Sequence, residues 1–164
     1  ELVSHAPMMP FVKAKIIKAS KRNVEHTLMD WEIYPRGIYK ALKRLNNYKQ
    51  IKEIIVTENG AAFDDIYEED KVDDYKRVKF LQDYIAQVLL AKREGIKVNG
   101  YFVWTLLDNF EWAEGFYPRF GLVNVDFETQ KRVVKNSGRW YSQFLKNTLV
   151  ASKDVSDREE RIVI

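Results

Sequence analysis

The sequence contains no cysteine, two histidines, four prolines and seven glycines in 164 residues. Without cysteine there is no disulfide framework, thiolate nucleophile, zinc finger or iron–sulfur cluster. His5 and His26 stand apart with no metal-ligand spacing, which leaves them surface or loop roles. An excess of one charge is also missing: 27 Lys and Arg against 24 Asp and Glu leave a net +3, too little to make phosphate-backbone binding the main activity. No apolar run approaches the roughly 18 residues that would cross a bilayer, and Glu1 to His5 lacks the layout of a signal peptide. Nucleic acid and membrane are therefore not expected partners, and the absence of cysteine suits a reducing compartment, the cytoplasm. A composition of 46% hydrophobic and 31% charged residues excludes a disordered or collagenous chain and supports one domain with a core. Residue 1 is Glu rather than Met, which is compatible with a piece of a longer chain.

What is present alternates between helical and strand-like segments. Glu1 to Asn23 has Pro7, Pro10 and a basic stretch from Lys13 to Arg22 without a 3.6-residue apolar repeat, and reads as an exposed loop with a solvated basic face. Pro35 and Gly37 open a helix whose apolar face is Ile38, Leu42 and Leu45 and which ends near Asn46-Asn47. Glu53 to Thr57 is β-branched with no alternation, as in a strand buried on both faces, and Glu58-Asn59-Gly60 ends it. The acid-rich run from Asp64 to Asp74 reads as a solvated loop without EF-hand spacing, its last aspartates available to cap the next helix. From Tyr75, the residues Val78, Leu81, Ile85, Val88 and Leu89 form one helical stripe, closed by Gly95. A second buried-type strand covers Val98 to Trp104, a short extended piece Phe120 to Phe127, and a last helix capped by Asn136-Ser137 carries Trp140, Tyr141, Phe144 and Leu145. Residues 147–164 turn polar and read as a frayed tail or an extra surface helix. Strands alternating with helices predict an α/β fold with parallel pairing through helical crossovers.

Chemistry-bearing residues gather at two strand ends. Glu58 places a carboxylate at the end of the first strand, and Trp104 places a flat apolar face at the end of the second. Between Tyr101 and Phe120 lie eight aromatics interleaved with Asp108, Asn109, Glu111 and Glu114. Aromatic platforms cover the faces of a polyhydroxylated ring while carboxylates accept its hydroxyl protons. On composition alone a packed aromatic core is at least as good an explanation.

Longer motifs favour the sugar. Val56-Thr57-Glu58-Asn59-Gly60 resembles the nucleophile motif of the family 1 glycoside hydrolases, retaining β-glucosidases and their relatives. Met29-Asp30-Trp31-Glu32-Ile33-Tyr34-Pro35, the run from Tyr101 to Trp112 and Arg119-Phe120-Gly121-Leu122 are similar to that family in the same order and at similar spacing, so the resemblance covers about Asp30 to Leu145. It implies that Glu58 is the nucleophile that forms a glycosyl-enzyme ester. It further implies that Trp104 is the platform under the sugar, that Glu111 accepts hydrogen bonds from the 4- and 6-hydroxyls, that Trp112 contacts the 3-hydroxyl and that Phe120 shapes the pocket wall. No cofactor or metal is called for. An acid at Glu111 would repel a phosphate dianion, so the resemblance implies an unphosphorylated β-glucoside or a near relative such as a β-galactoside or β-fucoside.

The family's Asn-Glu-Pro motif, which supplies the acid/base carboxyl about 5 to 5.5 Å from the nucleophile, does not occur in this sequence. A (β/α)₈ TIM barrel needs about 250 residues, and the two strands read here resemble its seventh and eighth. The expected architecture is thus the C-terminal portion of such a barrel over residues 1–164, with the first six strands absent or on another polypeptide. Its expected partners are the missing barrel portion or a second copy of itself. The competing readings are a glycosidase-like module that binds sugar or a partner without hydrolysis, and a structural fragment that needs a complementing chain to fold.

Overall fold

The computed structural model describes residues 3–8, 12 and 14–156, with side chains to residue 147. Its centre is a parallel pair of strands, β3 (Ile54–Asn59) and β6 (Val98–Val103), joined by the helix α2 (Tyr75–Arg93). A shorter helix, α1 (Arg36–Asn46), precedes β3 and packs on α2. Among the described residues the other strands form three antiparallel pairs: β1 (Val3–His5) with β2 (Ala14–Ile16), β4 (Ile66–Glu68) with β5 (Lys71–Asp73), and β7 (Val123–Val125) with β8 (Arg132–Val134). The long helix α3 (Asn136–Ser156) ends the described chain. No closed barrel is formed among the described residues.

The core lies on the helix side of the parallel pair. Tyr39 and Leu42 of α1, Val88 and Ala91 of α2, Ile54 and Val98 form one cluster, and the apolar period of α2 brings them together because 3.6 residues per turn place positions 81, 85 and 88 on one stripe. A second cluster joins Phe63, Phe80, Leu81, Ile85 and Leu122 to Trp140, Tyr141 and Phe144 of α3. α2 therefore serves both clusters, and Gly95, at φ +83°, turns the chain from its end towards β6.

Several expectations from the sequence need correction. The two parallel strands are not buried on both faces: Ile55 is 46% exposed and Phe102 60% exposed, so the face away from the helices is open. An unbroken apolar run cannot distinguish a covered face from an uncovered one, since the cover comes from elsewhere. The segment expected as loop, Glu1 to Asn23, holds the β1–β2 pair and a 3₁₀ turn at Ala19–Lys21, while Lys13 lies outside the described residues. On α1, Tyr39 and Leu42 are buried whereas Leu45 is 41% exposed.

The acidic run is the β4–β5 hairpin, and its acids are not all solvated. Asp74 precedes α2, but its carboxylate makes no capping bond to that helix. It instead accepts bonds from the backbone N–H and the hydroxyl of Ser137, at the start of α3. Asn136 likewise donates to Asp73 rather than capping its own helix. As far as Ser156, the polar segment after residue 147 continues α3, and residues 157–164 lie outside the described residues. Among the described residues no helix is long and apolar enough to cross a membrane.

Candidate active site

At the carboxyl ends of β3 and β6 a concavity of about 580 Å³ opens, and all five residues singled out in the sequence line it: Glu58, Trp104, Glu111, Trp112 and Phe120. Their convergence begins with the strands. The β3–β6 register is irregular between Val56 and Asn59, where Glu58 sits, a place where an irregularity re-aims side chains. The backbone N–H of Trp104 donates to the carbonyl of Asn59 at 3.1 Å, so the two strand ends stay in contact. Gly60 permits this approach: a Cβ there would lie 1.7 Å from the Trp104 carbonyl oxygen. The Trp104–Thr105 peptide bond is cis.

Glu111 and Trp112 come from the loop after β6. The indole Nε1–H of Trp104 donates to Oε1 of Glu111 at 3.3 Å, joining platform and acid directly. Burial pushes the Glu111 carboxyl above its ordinary value; the Trp104 bond opposes this, and the negative charges of Asp108 and Glu58 add to it. Glu58 itself is exposed. Trp112 is 84% exposed at φ +48° and heads a 3₁₀ turn, Trp112–Glu114. Phe120 is buried, its ring centroid 6.1 Å from that of Trp31.

The concavity also holds residues to which the sequence reading gave no role, among them Thr27, Trp31, Glu32, Phe80 and Tyr84. Trp31 and Glu32 lie within a motif already noticed, and that motif was the available signal. The Thr27 hydroxyl accepts from the backbone N–H groups of Met29 and Trp31 at 3.2 and 3.3 Å, a local turn that presents Trp31. Glu32 is paired with Arg22 at 2.8 Å. Tyr84 projects from α2 and its hydroxyl accepts from the Tyr34 backbone N–H at 3.1 Å. Nothing in helical periodicity alone separates such a side chain from a core residue.

Carboxylates beside aromatic faces, at the carboxyl ends of parallel strands joined by a helix, form the setting in which α/β enzymes bind polyhydroxylated ligands. No group of three or more His, Cys, Asp or Glu among the described residues is arranged to hold a metal ion.

Comparison with known proteins narrows the class. The family model described as Glycosyl hydrolase family 1 matches residues 3–149, and the chain belongs to that family. It is 52% identical over 128 residues to Beta-glucosidase A of Thermotoga maritima, covering 77% of this chain and 29% of the relative. It is 40% identical over 127 residues to a 6-phospho-beta-galactosidase of Clostridium acetobutylicum, covering 77% of this chain and 27% of the relative. The solved family 1 β-glucosidase of T. maritima superposes with a TM-score of 0.82 at 49% identity, over 88% of this chain and 32% of that one. The chain thus spans less than a third of the length of these relatives. The solved neighbours are family 1 β-glucosidases, and the parallel pair with its helices is consistent with part of a (β/α)₈ fold.

Proposed function

We propose that this chain is the C-terminal part of a retaining β-glucosidase acting on unphosphorylated β-glucosides, with β3 and β6 as the seventh and eighth barrel strands. In this reading residues 1–164 belong to one barrel domain and residues 147–164 are a polar extension. The observation that carries it is the meeting of Glu58, Trp104, Glu111, Trp112 and Phe120 around one sugar-sized concavity.

Glu58 attacks the anomeric carbon from the face opposite the aglycone, the C1–O bond to the aglycone breaks, and a glycosyl ester remains on the carboxylate. The leaving oxygen takes its proton from an acid on the complementing portion of the barrel, since this sequence has no Asn-Glu-Pro. Water then attacks the same carbon, and two inversions give net retention. Trp104 stacks on the apolar face of the ring, Glu111 accepts from the 4- and 6-hydroxyls, Trp112 reaches the 3-hydroxyl and Phe120 closes the wall.

The charge around Glu111 supports an unphosphorylated sugar. The like charges of Asp108 and Glu58 already act on Glu111, and a 6-phosphate brought to it would meet the same repulsion. The 6-phospho-beta-galactosidase relatives favour a second reading, in which the phosphate is accepted despite that acid.

The test joins this chain to a polypeptide supplying the complementing strands and follows aryl β-glucoside hydrolysis by NMR. Initial release of the β-anomer, abolished by Glu58→Gln with sugar binding retained, is expected; initial α-anomer release would overturn the retaining reading. Binding without turnover in the parent assembly would favour the non-hydrolytic module instead. Faster cleavage of the 6-phosphorylated substrate would select the second reading. The open face at Ile55 and Phe102 is expected to make the isolated chain associate with itself or with that polypeptide. A sharp monomer peak in light scattering, with a cooperative thermal transition, would count against this.

A further inference from the structure

At the base of the loop that carries Glu111 and Trp112 lies a buried ionic group outside the lining of the concavity. The Asp108 side chain has no exposed surface, and its Oδ1 accepts from the backbone N–H of Gly121 at 2.8 Å and from Lys135 Nζ at 3.0 Å. Its Oδ2 faces the backbone N–H of Val125 at 3.4 Å and Arg119 Nη1 at 3.8 Å. One carboxylate thus ties the start of the loop that carries Glu111 and Trp112 to the far side of that loop, just beyond Phe120.

Backbone pairing reinforces the same base. Leu122 N donates to Thr105 O at 2.9 Å, Val123 N to Leu106 O at 2.9 Å, and Asp108 N to Val123 O at 3.1 Å. A Cβ on Gly121 would lie 2.3 Å from Asp108 N and 2.6 Å from Asp108 Oδ1, so the two segments touch without room for a side chain. Lys135, fully buried, also reaches Asp65 Oδ2 at 2.7 Å. Asp65 in turn binds Arg77, and Arg77 donates to the carbonyl of Arg119. The base of the loop is therefore anchored to the β3–α2 connection and to the start of α3.

We propose that Asp108, held by Lys135, is the positioning residue that closes the 109–119 loop and so sets Glu111 and Phe120 for sugar recognition. The inference rests on the sugar-binding reading for its consequence, but the clasp itself is a property of this chain. Asp108 stands at the start of the loop and its backbone donors, Gly121 and Val125, lie beyond the loop's end, so removing this buried charged acceptor breaks both ties together and the effect is local and large.

The test has two arms, both run on this chain assembled with its complementing polypeptide. In the first, hydrogen exchange is compared between parent and Asp108→Asn, which keeps the shape and removes the charge. Exchange in residues 109–119 and at Gly121 and Val125 is expected to rise at least tenfold, with β3, β6 and the middle of α2 changed less than twofold. Unchanged protection in the loop, or a uniform rise everywhere, would overturn the clasp. Should Asp108→Asn not fold, Lys135→Gln is measured instead, with the same localisation expected at a smaller amplitude and the same outcomes overturning it.

In the second arm, KM and kcat are measured on an aryl β-glucoside and its 6-deoxy analogue. Asp108→Asn is expected to raise KM for the glucoside at least tenfold, to lower kcat less, and to shrink the penalty for losing the 6-hydroxyl. A full parental penalty in the variant would overturn the positioning role. Absence of turnover in the parent would defeat the proposed function alone, and the exchange arm would still decide the clasp.

Discussion

The indole N–H of Trp104 donates to the carboxylate of Glu111 at 3.3 Å, which links the residue just after β6 to the acid seven positions later. The bond leaves further acceptor capacity on that carboxylate, because an ionised acid offers about four lone-pair sites. If those sites serve two sugar hydroxyls, each charge-assisted bond contributes about 1.5 to 3 kcal/mol. Glu111→Ala in the complete assembly is then expected to lower kcat/KM more than tenfold with the fold retained. The loss on removing the 6-hydroxyl should be smaller in the variant than in the parent, and equal losses would place that hydroxyl elsewhere.

The raised Glu111 carboxyl has a pH signature. Folding disfavours its ionised form, so its contribution to stability is fully present below the ordinary value of 4.5 and is lost as pH rises through the raised one. The difference between parent and Glu111→Gln isolates this group. Relative to the variant, the parent is expected to become less stable as pH increases above the ordinary value of 4.5. Thermal unfolding at several pH values measures the difference, and a flat or rising parent-minus-variant curve would contradict it.

Gly60→Ala should separate backbone contact from ordinary glycine flexibility. Its new Cβ would fall 1.7 Å from the Trp104 carbonyl oxygen, and the nearest obstructing atoms are all backbone, so no side chain can swing aside to make room. A loss of about 3 kcal/mol or more is expected, at the upper end of overpacking costs. Gly37→Ala, whose Cβ meets the Tyr34 ring at 3.2 Å, should cost much less. Urea denaturation of both variants provides the comparison.

Arg77 pairs with Asp65 at 3.0 Å and Asp74 at 2.6 Å and donates to the carbonyl of Ala61 at 3.2 Å, with 1% of its side chain exposed. Removing it leaves the buried Asp74 without a counter-charge and Asp65 with Lys135 as its remaining ion-pair partner. Arg77→Met is expected to destabilise the chain by about 3 to 5 kcal/mol. Because Asp74 also holds the start of α3 through Ser137, the first amides of α3 should lose exchange protection in the same variant, and their retention would show that the pairs act independently.

The elements that were legible in the sequence are those governed by local spacing. The stripe on α2 and its end at Gly95 follow from helical period and from the glycine's left-handed conformation; Leu81, Ile85 and Val88 of that stripe are buried, while Val78 and Leu89 are half-buried. β3 and β6 were legible as short β-branched and aromatic runs, Glu58 and Trp104 as an acid and an aromatic at their ends, and Glu111, Trp112 and Phe120 only through the family resemblance. The partners of the acids were not. Asp74 reads as a local cap but bonds across 63 residues to Ser137, and Asp108 meets Gly121 and Lys135 across gaps of 13 and 27 residues. The strand sequences likewise read as buried on both faces, whereas Ile55 and Phe102 are exposed. Residue type and period state what a segment is able to bury or bond, whereas the choice among distant partners depends on which backbones the packed core brings within about 3 Å of each other.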